Sequence, residues 1–317
     1  MLHQRKILAS ITLLGLFMND AVLAAPLSAI SEAVESGKGH LNFRYRYEQV
    51  DQTGFSEQAE ASTLRSRFTW LSGEIDNFTV GLEMDYVSAI GSERYNSTTN
   101  GKSQYPVVAD PTGFDLNQAY INYKRDETSL TAGKQRINHA NQRFVGGVAW
   151  RQNEQTFDAF RAVFSPLDEL SIDYSYVWNV DRIFGPDNGA RPAEWDGTSH
   201  LLNAAYTVAD GHELQGFAYF LDFENANGPA NSTGTVGLSY NGKFDRVSLQ
   251  ATMATQSDYE SSPLDYAAEF YSVGADLKLS VVKLTAGYEE LGSDNGVAGF
   301  RTPLATLHKF QGWATDS

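Results

Sequence analysis

The chain has 317 residues, a formal net charge of -15 and no cysteine. The missing thiols exclude a disulfide framework, a thiol nucleophile and a zinc-thiolate site, and the acid excess argues against nucleic acid, whose phosphates are held by clustered Lys and Arg. Aromatic residues make up 12% of the chain and glycines number 27, while long stripes of 3.6-residue period are missing, so composition points to an all-β protein.

Residues 1–24 read as a cleavable secretory signal. Arg5 and Lys6 precede an apolar stretch at 7–17, and Val22, Leu23 and Ala24 supply the small-residue exit, with cleavage after Ala24. The stretch is shorter than the roughly 20 apolar residues of a spanning helix. No long apolar run follows it, so the mature chain either dissolves or crosses a membrane as strands. Residues 25–39 are expected to form a periplasmic N-terminal segment and 40–290 to carry the strands.

Beyond residue 40 the chain alternates apolar and polar side chains over segments long enough to cross an outer membrane as tilted strands. Leu41, Phe43, Tyr45 and Tyr47 share one face, against Asn42, Arg44, Arg46 and Glu48. Leu64, Phe68 and Trp70 then oppose Thr63, Arg65, Arg67 and Thr69, and Phe78, Val80, Leu82, Met84 and Tyr86 oppose Thr79, Gly81, Glu83 and Asp85. Apolar rows recur from Leu170 to Trp178, at Val236, Leu238 and Tyr240, at Val247, Leu249, Ala251 and Met253, at Tyr271, Val273, Ala275 and Leu277, and at Val282, Leu284, Ala286 and Tyr288. Further strands are expected near 115–124, 129–136, 156–164, 201–207 and 213–223, where the facing is ambiguous. Tight connections near 73–77, 125–128, 165–169, 208–212, 242–245 and 278–281 alternate with long polar ones near 87–113, 137–155, 180–198, 222–233 and 256–266. Short periplasmic turns against long external loops mark an outer-membrane barrel and set it apart from a soluble sandwich. The expected fold is an antiparallel up-and-down transmembrane β-barrel. About thirteen strands is an odd count where closed bacterial barrels have an even one, so residues 291–317 are expected to be a loop and the start of a portion truncated before closure, with a strand beginning at 314–317.

Arginine facing lipid near the midplane costs roughly 2–4 kcal/mol, so the rows bearing Arg44, Arg46, Arg65 and Arg67 must face the lumen. A turn centred near Ile75 places Arg67 opposite Glu83 and Arg65 opposite Asp85, and a hairpin symmetric about Phe55 and Ser56 brings Arg44 and Arg46 alongside Arg67 and Arg65. Four guanidinium groups then face two carboxylates. Two readings stand: ion pairs that fasten the wall, or an arginine ladder that draws anions to a constriction. Lys134, Arg136 and Arg161 would extend the lining, and Thr79, Gly81, Ser171, Ser175, Gly237 and Ser239 would keep it small and hydrated. The 137–155 loop carries Arg143, Trp150 and Arg151 as constriction candidates. An exposed loop touching water or lipopolysaccharide is its preferred reading, an inward fold the other. The histidines show no metal spacing, and a lone loop histidine such as His139 is expected to be solvated. No nucleophile elbow, phosphate-cradling loop or His-Glu-x-x-His motif occurs, so neither a catalytic residue nor a cofactor is expected.

The stretches Phe-Asp-Leu-Asn-Gln-Ala-Tyr-Ile-Asn-Tyr at 114–123, Gly-Lys-Gln-Arg at 133–136 and Trp-Arg-Gln-Asn-Glu-Gln-Thr-Phe-Asp at 150–158, with the closing segment at 302–313, resemble the alginate-export family of outer-membrane proteins. The resemblance covers most of the mature chain. It implies a large monomeric barrel with a basic lumen that conducts anionic polysaccharide or small anions, with pore-lining cations near Arg136 and Arg151. The expected function is a passive channel whose partners are outer-membrane lipid, lipopolysaccharide, the barrel-assembly machinery and an anionic solute. A surface adhesive or structural barrel is the first alternative, and a barrel enzyme using His139 or His200 at the rim the second.

Overall fold

A computed structural model of the chain describes residues 27–225 and 227–311. The signal sequence expected at 1–24 and the strand expected at 314–317 lie outside the described residues. A helix, α1 (Leu27–Glu35), leads into thirteen strands: β1 (Lys38–Val50), β2 (Ala59–Leu71), β3 (Phe78–Ala89), β4 (Gly113–Arg125), β5 (Thr128–Gln135), β6 (Thr156–Leu167), β7 (Leu170–Asp181), β8 (Glu194–Ala209), β9 (His212–Leu221), β10 (Thr233–Phe244), β11 (Val247–Asp258), β12 (Ala267–Lys278) and β13 (Lys283–Leu291). Each strand pairs antiparallel with the next, giving one up-and-down sheet. Among the described residues β1 and β13 are not paired with each other. After them come a small hairpin, β14 (Ser293–Asp294) and β15 (Ala298–Gly299), and one turn of helix, α2 (His308–Gln311).

The alternating sequence is what makes these strands, since successive side chains leave opposite faces of the pleat. On β1 the row Leu41, Phe43, Tyr45, Tyr47 is 55–65% exposed on the outward face. On β2 the opposite row, Thr63, Arg65 and Arg67, is buried. Two-residue turns such as 126–127, 168–169 and 210–211 alternate with long connections at 90–112, 136–155, 182–193, 222–232 and 259–266.

The strands with ambiguous facing have a physical reason for it. Pairing shifts between Glu83 and Met84, between Asp158 and Ala159, between Val177 and Asn179, and between Thr207 and Ala209. Each bulge adds one residue and reverses the phase of alternation beyond it. At the first of these the extra residue, Asn117, is buried and donates to Glu83 at 2.5 Å.

The hairpin registers differ from those expected. Asp76 and Asn77 both take positive φ, 48° and 71°, the pair of values a two-residue type I′ turn requires. Ile75 and Phe78 close that turn, and with one extra residue between Ser72 and Ile75 the ladder centres on Asp76, one residue beyond the expected Ile75, so every partner moves by two: Arg67 faces Asp85, and Arg65 faces Val87. In the first hairpin Arg44 pairs with Arg65 and Arg46 with Thr63, the centre lying between Gly54 and Phe55. Because each shift is a whole period, no side chain changes face.

The sheet is strongly curled. Laid flat, twelve inter-strand spacings of about 4.8 Å would hold β1 and β13 about 58 Å apart. Yet Gln152 accepts from Arg44 on β1 while Arg143, nine residues earlier, bonds Glu289 on β13. Nine residues span about 30 Å at most. The thirteen strands therefore bend around a concave space that the 136–155 loop crosses.

Candidate functional site

The concave face of β1–β3 is built from the arginine rows. Arg67 grips Asp85 with two bonds, Nε to Oδ1 at 2.6 Å and Nη2 to Oδ2 at 2.5 Å, and lies 3.4 Å from Glu83. Fork-to-fork geometry of this kind is the strongest form of an Arg-carboxylate pair. Its remaining nitrogen, Nη1, donates to Glu154 at 2.6 Å, and Arg65 lies 3.6 Å from the same carboxylate. Arg136, just beyond β5, pairs with both Glu83 and Glu154.

Glu154 belongs to the 136–155 loop, and here the preferred sequence reading is corrected. The loop is not an exposed connection; Arg143, Arg151 and each residue from Gln152 to Gln155 are buried against the wall. Arg44 donates to the Ala149 carbonyl at 2.8 Å, to the Arg151 carbonyl and to Gln152 Oε1. Gln152 in turn donates from Nε2 to Thr63 Oγ1 at 2.9 Å. Trp150 is flanked by three cation or ring contacts: Arg46 at 4.7 Å, Arg151 at 4.2 Å and the His308 ring at 3.9 Å. Loop carbonyls need donors once they leave water, and the arginine rows are where they find them.

A second loop, 90–112, adds a carboxylate the sequence reading missed. Asp110 is fully buried, accepts from the Gln152 backbone N–H at 2.9 Å and lies 3.1 Å from Arg46 and 3.9 Å from Arg151. Burial pushes its carboxyl above the ordinary range, partly offset by the charges of Arg151 and Arg46. Burial likewise opposes ionisation of Glu154, but the charges of Arg136 and Arg67 prevail and hold it below its usual value. Glu48 completes the cluster at 3.2 Å from Arg151. The expected surplus of four guanidinium groups over two carboxylates is thus corrected: Arg44, Arg46, Arg65, Arg67, Arg136 and Arg151 share Glu48, Glu83, Asp85, Asp110 and Glu154. Among the described residues Arg44 alone of the six has no carboxylate within ion-pair distance and serves neutral acceptors.

A family model described as alginate export matches residues 38–272, from the start of β1 into β12. The chain belongs to the alginate export family. No curated protein matches it. Among solved structures, OccD3 (OpdP) of Pseudomonas aeruginosa aligns with TM-score 0.61 at 15% identity, over 83% of this chain and 60% of its own. OccAB2 of Acinetobacter baumannii aligns with TM-score 0.64 at 14% identity, over 83% and 68%. OpdK of Pseudomonas aeruginosa, solved with vanillate, aligns with TM-score 0.60 at 12% identity, over 81% and 67%. Identities this low carry the fold, which is that of an outer-membrane β-barrel. The chain spans about 60% of the length of OccD3. Family and fold together place this member of the alginate export family among the outer-membrane β-barrels.

Other sequence candidates of this family member lie on the same concave face. Arg161 takes Asp173 through Nε at 3.0 Å and Nη2 at 2.5 Å, and Lys134 lies between Asp158, at 3.3 Å, and Asp181. Arg143 bonds Glu289 at 2.7 and 2.9 Å and Thr302 at 3.1 Å, with its guanidinium over Phe270 and Phe310. Gly81 is shielded by the ring of Tyr120, which a Cβ at that position would strike. Below the ion-pair cluster lies a cavity of about 340 Å³ lined by Leu71, Thr79, Gln118, Tyr120, Asn122, Thr131, Gln135, Arg136 and Arg161.

Beside the small polar residues expected to line the space, bulky apolar ones are present that the sequence reading did not place there. Against β8–β12 the concave face carries an apolar cluster, with Phe217, Tyr219, Leu221 and Phe270 buried together with Val145, Phe300 and Leu304 among the buried polar side chains Asn203, Gln215, Thr235 and Gln256. Phe144 of the loop sits 4.7 Å from Phe217 and 5.3 Å from Phe270. His139 is not solvated: it is buried, 3.4 Å from Asp173 and 3.2 Å from the Tyr219 hydroxyl. His200 lies apart from it, bonded to Tyr174 at 2.8 Å. The 136–155 loop therefore has two sides, a polar one held by β1–β3 and an apolar one held by β9 and β12. Residues 301–306 run beside it, with Gly146 N–H donating to the Leu304 carbonyl at 2.9 Å and Thr306 N–H to that of Gln142 at 3.1 Å.

Proposed function

We propose that this channel passes small anionic solutes passively, in preference to a polysaccharide chain. The carrying observation is the cavity beneath the loop. Among the described residues its charged lining groups are the guanidinium groups of Arg136 and Arg161, whose carboxylate partners Glu83, Glu154 and Asp173 lie outside the lining; its amides and hydroxyls offer hydrogen bonds in both senses. A small carboxylate can exchange its water for these groups, whereas a cation finds no counter-charge. The bridging loop supports a small solute over a polymer, because a long chain would have to displace it. OpdK, which shares the fold, was solved with vanillate, itself a small carboxylate. Residues 1–24 direct export and are removed, so the mature protein begins at Ala25, which its intact mass checks.

The experiment is the reversal potential in a planar bilayer under a salt gradient. Anion preference is expected, and Arg136→Gln with Arg161→Gln is expected to reduce it. A reversal potential that both substitutions leave untouched rejects the anionic reading, and a sealed, non-conducting barrel rejects passive passage.

A further inference from the structure

The outward face of β10–β13 carries a hollow that the channel reading does not use. Tyr240, Ala251, Val273 and Tyr288 are direct cross-strand partners and form one row across the four strands. Met253 and Tyr271 belong to the next row toward the long external loops. The Ala251 methyl is short beside these longer side chains, and the gap above it is a cavity of about 340 Å³ with an almost wholly apolar lining. The hollow is open on its outer side, where its exposed apolar lining goes without contacts unless something fills it.

The surroundings say what fills it. On the external side the outward face turns polar: Tyr271 donates to Glu269 at 2.7 Å and Tyr288 to Glu290 at 2.6 Å. On the periplasmic side it stays apolar, with Leu249, Leu277 and Leu284 exposed. The order, polar outside and apolar further in, is that of an outer-leaflet lipid, and the hollow is continuous with the lipid-facing wall of an outer-membrane barrel. We propose that the hollow seats one acyl chain of an outer-leaflet lipid, entered from the side of Tyr271 and Tyr288.

The sequence holds no cysteine, so a single introduced one is labelled uniquely. Met253→Cys places a nitrobenzoxadiazole label at the hollow, and Leu202→Cys, 41% exposed on the outward face elsewhere, is the control. The full chain is reconstituted in vesicles with a rising fraction of acyl-brominated phospholipid. Random contact gives both labels the same quenching curve; a seated chain quenches the Met253→Cys label at a lower brominated fraction. Adding Ala251→Trp, which fills the hollow, is expected to merge the two curves and leave conductance unchanged. Superimposed curves in the absence of Ala251→Trp overturn the proposal, as does a disulfide formed between two unlabelled Met253→Cys copies under a mild added oxidant in a parallel sample, which would put a second copy of the chain there.

Discussion

Replacing Arg67 by Gln removes the cation that Asp85, Glu83 and Glu154 share. The consequences differ among the three. Glu83 keeps Arg136, and Glu154 keeps Arg136 and Arg65. Asp85 pairs with no other Lys or Arg among the described residues, and its side chain is only 2% exposed. Solvent cannot screen what is left, so the loss is that of breaking a buried pair, about 3–5 kcal/mol, and not the ~0–1 kcal/mol of a surface pair. Denaturant unfolding of the lipid-reconstituted protein measures it. Asp85→Asn on its own leaves Arg67 with Glu154 and should cost less. Combining the two should recover about 0.5–3 kcal/mol relative to the sum, because the stranded carboxylate is gone. If the two losses simply add, or if Arg67→Gln costs under about 1 kcal/mol, the fork between β2 and β3 does not hold the wall.

Acidification should loosen the bridging loop. Glu154 sits below its ordinary value of 4.5, so its contribution is complete above about pH 4.5 and fades as pH falls through the lowered folded value. Conductance is expected to rise and become noisier in that window, and Glu154→Gln, lacking the titrating group, should show the looser behaviour at neutral pH already. A pH profile identical in the two proteins would count against this role. Phe270→Ala attacks the other side of the loop. The ring is fully buried between Phe144, Phe300 and Arg143, so the loss should reach about 3–5 kcal/mol, measured by the same unfolding titration. A loss below about 1 kcal/mol would show that the apolar cluster is not packed.

The strands and their facing were legible because they depend on a period-two pattern that any register shifted by two preserves. The registers were less so, since they turn on which residues of a tight hairpin take positive φ. Asp76 and Asn77 suit those values without being glycines, and nothing in the flanking rows distinguishes a centre at Ile75 from one at Asp76. The bulge at Asn117 was invisible for the same reason, an extra residue having no signature beyond a broken alternation. The buried loop left a clearer trace. The 136–155 segment carries Phe144, Val145 and Val148 beside its arginines, more apolar surface than a solvated loop has reason to hold. The apolar cluster of the concave face also had a sign. From Gly216 to Leu221 the residues of β9 are apolar on both faces, as expected of a strand covered on both sides. Asp110 had no signal at all; its role follows from where a long loop folds.

One loop holding both β1 and β13 has a kinetic implication. Arg143 can reach Glu289 only after the thirteenth strand has zipped onto its neighbour, so docking of this strut is the last event in assembling the described part of the barrel. By the same logic it is the first to let go: undocking it breaks side-chain bonds and a few loop amide bonds but leaves every ladder intact. The molecule thereby has a sub-global opening of lower free energy than unfolding, confined to the space a solute must cross. Amide exchange at 138–155 should then run ahead of exchange in the strands that surround it.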